Sequence, residues 1–394
     1  MILKLKKSIL RSNIATLSFL LLFPGFFFYH FAIGKGLIPP FLGGYFGIVS
    51  ALLLIPLLLL NYRLFLKQTE LPVLCFFLIL ILTFVTSIYY YVTGSPRGYV
   101  TDMLVWSLSG LLFNVVAFML AYGTNIGAIA KYGYWLIVLM FLLVIFNIGD
   151  SGIFYIKLDA GEAADSVATY QGFARSIVVT LLVSSAIFFQ KGKSFYVLLL
   201  VGIIALFFNG ARTEFAIFLV SMFFFYFYYS MGNIRTLMSL VVLLTILTTI
   251  AANIIELIPV SRMLQLVDIG SSSSGESRDK ILSFGIELIS NNPVFGDYAG
   301  YATAGGIGYY PHNIISAWLN LGVVGFSLYI LMFVLLWKDI FKNFLKDRDE
   351  KTYKVFFIFL LFTTGSLIVS KDYSYLLIGL LLGFYLRYKT NLKR

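Results

Sequence analysis

The segment LPVLCFFLILILTFVTSIYYYV, residues 71–92, runs for 22 positions without one charged side chain. A bilayer's hydrocarbon layer is about 30 Å thick, and about 20 apolar residues at 1.5 Å rise cross it as a helix. Eleven further runs repeat the pattern, so the sequence predicts twelve spans, near 14–33, 41–62, 71–92, 101–122, 132–149, 172–190, 194–209, 213–231, 236–258, 312–337, 355–370 and 373–386. Very short connections join the runs at Ala211 and at Lys371. The chain is 60% hydrophobic and 12% charged, where soluble domains are roughly 45–50% apolar and about 25% charged. The fold expected is an all-α integral membrane protein, a single polytopic domain over residues 1–394 with no internal repeat.

Charge orients the spans. With the N-terminus inside, the segments around Lys4–Arg11, Arg63–Lys67, Lys131, Lys191–Lys193 and Arg235 face the cytosol, as do Lys338–Lys354 and the tail from Arg387. Roughly two-thirds of the lysines and arginines then lie on one side, as the positive-inside rule requires. Both termini are expected to be cytoplasmic. The net charge of +11 is thus a topology signal that calls for no nucleic acid. The first run has a basic leader, is too long for a signal-peptide core and lacks a small-residue cleavage site, so it reads as an anchor. Cys75 is the lone cysteine, which excludes a disulfide framework.

Two long loops fall outside, 150–171 and 259–311, the second between the ninth and tenth spans. The first is acidic, with Asp150, Asp159, Glu162 and Asp165. In the second, Ser273 and Glu276 fit a capping box, and Ile281, Leu282, Gly285, Leu288 and Ile289 form an apolar stripe. That pattern predicts a short amphipathic helix lying on the outer membrane surface, stopped by NNPVFG.

His312 falls at the start of the tenth span, with Asn313 as its cap. The positive helix end there favours a neutral imidazole able to accept a proton; the plainer alternative is an interfacial histidine facing water. Arg212 lies at an outer helix end, where a guanidinium fork suits phosphate oxygens and where a contact with Glu214 or lipid is the plainer reading. Arg278 opens the amphipathic helix, an unfavourable place for a cation unless it has a partner such as Asp279. Arg262, Lys280, Arg97 and Arg175 are also external. An outer pocket with one base and two or three arginines suits transfer from a phosphate or pyrophosphate leaving group to a hydroxyl.

The stretches NGARTEF, SRDKILSFGIELISNNPVFG and PHNIISAWLNLGVVGFSLY resemble the O-antigen polymerase and ligase family of bacterial membrane glycosyltransferases. The matching positions are Arg212, Arg278, Pro293 to Gly296, His312–Asn313 and Gly322 to Gly325, within about residues 205–335. Ala211 departs from the family's more usual serine. The resemblance implies a GT-C-like, cofactor-free and metal-independent enzyme of the bacterial inner membrane, its site facing the periplasm. The donor would be a glycan on undecaprenyl diphosphate. The acceptor would be a lipid-linked repeat for a polymerase, the preferred reading, or lipid A-core for a ligase. His312 would be the general base, and Arg212 and Arg278 would hold the diphosphate. Asn313, Glu214 and Arg262 would line the substrate. Partners would be membrane lipids, a chain-length regulator and a flippase. A lipid-linked oligosaccharide transporter and a membrane scaffold remain as other classes; against the transporter, ionisable residues inside the spans are scarce.

Overall fold

The computed structural model describes residues 2–41, 44–66, 70–93, 99–149, 152, 154, 170–189, 192–231, 238, 245, 273–343, 346–347 and 349–392. Its helices are α1 (Ile2–Leu20), α2 (Phe26–Gly34), α3 (Tyr45–Leu66), α4 (Leu71–Val92), α5 (Val100–Gly123), α6 (Ile126–Ile145), α7 (Tyr170–Phe188), α8 (Lys193–Asn209) and α9 (Arg212–Ser230). After these come α10 (Ser273–Asn291), α11 (Ala302–Gly305), α12 (Ser316–Lys342), α13 (Lys351–Val369) and α14 (Leu377–Leu392). A π-helical turn at Leu21–Gly25, containing Pro24, joins α1 to α2.

Among the described residues eight helices are long and apolar enough to cross a membrane, as expected of an all-helical, multi-pass membrane protein. The predicted runs at 41–62 and 194–209 hold shorter apolar helices, in α3 and α8, and the run at 373–386 is helical from Leu377, in α14. The run at 236–258 lies outside the described residues apart from Met238 and Thr245.

Local chemistry sets several helix ends. The Asn125 side chain accepts from Ala128 N (3.1 Å) and caps α6. Glu350 does the same for α13 through Tyr353 N (2.5 Å). Pro72 sits in the first turn of α4, where its missing N–H costs nothing.

Helices α7 and α13 are the most enclosed spans. The tightest pairing is α5 with α14, where Gly379 and Gly383 rest directly on the carbonyls of Asn114 and Phe118. Small residues allow this approach, and close packing is what joins helices in lipid. Asn114 reinforces the pair by accepting from Gly379 N (3.1 Å) and donating to Ser374 O (2.8 Å). This anchors the α13–α14 turn at the end of the bundle where α9 and α12 begin.

Candidate functional site

Helix α12 is broken. Gly322 has φ +65° and ψ −171°, which interrupts the helix after two turns. Non-helical backbone survives at membrane depth only where protein satisfies it. Here the Pro293–Gly296 turn does so. Asp297 N donates to Leu319 O (2.7 Å), and Val323 N donates to Val294 O (3.1 Å). The Trp318 indole adds a bond to Pro293 O (2.8 Å). At Gly296 (φ +74°) a Cβ would meet Leu319 O at 2.5 Å, and at Gly322 it would overlap Val294 O. Two glycine motifs separate in the sequence are therefore the two halves of one backbone seam.

That seam carries a folded loop to His312. Tyr298, Ala299, Tyr301 and Ala302 are buried in an aromatic cluster with Tyr90 and Met103, and the Tyr298 hydroxyl bonds Ser107. Burial pushes the Tyr298 phenol up to about 12 and raises that of Tyr310 further. The Tyr310 ring lies 4.7 Å, centre to centre, from the His312 imidazole.

The predicted stripe of α10 is real, with Ile281, Gly285 and Ile289 buried. The stripe packs against protein: Gly285 sits against Pro311 with no space for a side chain. Arg278, exposed, precedes Gly285 by about two helical turns on the same face, and its charge bears on His312. Arg278 does not open the helix as expected; five residues from Ser273 come before it.

His312 is half-buried, and its imidazole pKa is lowered below 6.5 by burial, by Arg278 and by Lys371. The cause differs from the helix-end effect expected from sequence. Helix α12 starts at Ser316 with Ile315 before it and no side-chain cap. Asn313 instead caps the preceding turn, accepting from Ile315 N at 3.0 Å.

Lys371, in the α13–α14 turn, was not foreseen. Its Nζ lies 2.6 Å from Glu214 Oε1, with both side chains largely buried. Glu214, considered from sequence as a contact of Arg212, thus carries an ion pair to Lys371 across the bundle. Arg175 of α7 faces the same carboxylate, and its guanidinium sits 5.6 Å from the centre of the Phe46 ring. Arg212 is half-buried as the first residue of α9, at this same end. Asp372 is buried beside Lys371, and burial raises its carboxyl pKa against the bond from Ser374 Oγ (2.7 Å). Tyr373 N donates to Ser316 Oγ (3.0 Å), which fixes this turn to the start of α12.

Three of the expected residues, His312, Arg278 and Arg212, therefore stand at one end of the bundle with Asn313 and Glu214, and Lys371, Arg175 and Asp372 join them. Arg262, Arg97 and the acidic residues of the first loop lie outside the described residues. The sequence signal for Lys371 is a Lys-Asp pair in a short connection expected to face outward, where the positive-inside rule leaves few cations.

An apolar groove of about 450 Å³ opens between α12 and α13. Phe333, Val334, Trp337, Leu367 and Ile368 line it, and Ile314 closes it two residues beyond His312. No known family model and no curated protein matches the chain. Fold and site together define a class: a helical multi-pass membrane protein with a largely neutral histidine among cations at one end of its bundle.

Proposed function

We propose that this protein is a polysaccharide polymerase of the O-antigen type, which transfers a glycan from undecaprenyl diphosphate to a hydroxyl of an acceptor lipid-linked repeat. The observation that carries the reading is His312, held largely neutral and faced by Arg278 and Lys371, residues far apart in the chain. A neutral imidazole accepts a proton, and flanking cations suit a diphosphate.

In this reaction the acceptor oxygen attacks the anomeric carbon of the donor sugar while its proton passes to His312. The bond from that carbon to the diphosphate oxygen breaks, and the electron pair leaves on the diphosphate. Arg278, Arg212 and Lys371 take up the growing negative charge, the electrostatic contribution that dominates such transfers. The α12–α13 groove, largely apolar and reaching Ile314, two residues along the chain from His312, suits the polyprenyl tail. The proposed topology has twelve spans in the bacterial inner membrane, both termini in the cytosol, and residues 259–311 and the site in the periplasm.

The test is purified full-length protein with a polyprenyl-diphosphate-linked repeat, read as a ladder of products in the presence of a chelator. A ladder from wild type and none from His312→Ala supports the proposal. Transfer to lipid A-core alone would make the enzyme a ligase, and a ladder of wild-type yield from His312→Ala would remove the base from the mechanism.

A further inference from the structure

At the end of the bundle opposite His312, close helix contacts bring two arginines to one tyrosine. Gly379 and Gly383 of α14 rest on Asn114 and Phe118 of α5 in the same order along both chains. The next turn therefore sets Arg387 level with Tyr122. From the other side Gly123 packs on Ala15 of α1 with the Arg11 stem beside it. The Arg11 guanidinium lies 5.3 Å from the centre of the Tyr122 ring. Arg11 is near enough for its charge to bear on Arg387.

Neither arginine has the partner its position calls for. Arg11 Nε and Arg387 Nη1 are shielded from solvent without a hydrogen-bond partner. Among the described residues neither guanidinium forms an ion pair. Glu350 bears on Arg387, but its Oε2 is already engaged, accepting from Tyr353 N and the Thr352 hydroxyl at the start of α13. Nearby Lys389 is committed to Asp339 (3.0 Å) and Glu70 (4.0 Å).

Two like charges side by side with unfilled donors are unfavourable unless an anion lies between them. Paired guanidinium forks match phosphate oxygens. The arginines stand where α5 and α14 end and the first apolar span, Ile9–Gly34, begins, the level at which phospholipid headgroups meet a bilayer-spanning bundle. We propose that Arg11 and Arg387 form a binding site for a phosphate oxyanion, supplied by the headgroup of an anionic phospholipid. The site is independent of the sugar-transfer reading.

The experiment uses the full chain, purified with added phosphatidylglycerol. Retained lipid is read by native mass spectrometry, and thermal unfolding is read in phosphatidylcholine nanodiscs with and without phosphatidylglycerol or millimolar inorganic phosphate. Wild type is expected to retain phosphatidylglycerol and to unfold at higher temperature with it. Arg11→Gln and Arg387→Gln each lower retention about tenfold or more, whereas Lys342→Gln, an exposed cation at the same end, does not. Stabilisation of wild type, and not of the glutamine variants, by inorganic phosphate alone would make free phosphate the occupant of the same site. Equal retention in wild type and both glutamine variants, with no response to phosphate, overturns the proposal; so does an equal loss from Lys342→Gln. If the glutamine variants fail to fold, Arg11→Lys and Arg387→Lys carry the test. They keep the charge but lose the fork, so reduced retention in folded protein supports the site and unchanged retention refutes it.

Discussion

Beside His312 one carboxylate, Glu214, faces two cations, Lys371 and Arg175. At the far end of α14 one cation, Lys389, lies between two carboxylates, Asp339 and Glu70. There the Tyr385 hydroxyl also donates to Asp339 (2.7 Å) and reaches Glu70 (3.4 Å). That far cluster ties the end of α12 and the start of α4 to α14, and its acids are answered from within the protein. The near cluster has cations in excess, with Arg278 and Arg212 adding to them. The inversion teaches that similar residues serve two clusters differently: the one around Lys389 is a closed staple, while the one around Glu214 holds more cations than acids among the described residues.

Four measurements would break or sharpen that contrast. The largest effect is expected from His312→Ala, which lowers the transfer rate by about 10²–10⁴-fold with normal membrane insertion. Lys371→Gln comes next, with a loss of about 10²–10³ in rate, since it removes one of the charges proposed to face the leaving diphosphate. Lys389→Gln at the far end should do the reverse. It lowers unfolding stability by about 1–3 kcal/mol and leaves the rate per folded molecule unchanged. A rate defect from Lys389→Gln with none from Lys371→Gln would invert the comparison.

The smallest effect concerns pH. Burial, Arg278 and Lys371 lower the His312 pKa, so the imidazole stays free to take a proton through neutrality. Transfer then falls only as pH drops through that lowered value. Arg278→Ala removes one depressing charge and moves the midpoint of the pH–rate profile upward, toward about 6.5. An unmoved midpoint would separate Arg278 from the histidine.

Much of the fold was legible because lipid permits little else: an uncharged run of about 20 residues must be a helix. The stripe of α10 was equally plain, since Ile281, Gly285 and Ile289 follow helical spacing. What it packs on was not, because periodicity shows that a face is buried and not against what. The break in α12 was hidden for a related reason. Gly322 in an apolar run reads as a packing residue until the Pro293–Gly296 turn is seen to supply the missing hydrogen bonds. His312, Arg212 and Arg278 were visible as motif positions. Lys371 and Arg175 were not, because their importance arises from α7, α9 and the α13–α14 turn meeting at one point, and no local pattern encodes that meeting.

The interrupted α12 has a consequence for biogenesis. Its upper segment cannot settle in hydrocarbon alone, for the Leu319 carbonyl and the Val323 amide would be stranded there, each costing several kcal/mol. The preceding turn must therefore dock as the span inserts. Maturation of the His312 end of the bundle is thereby tied to completed assembly.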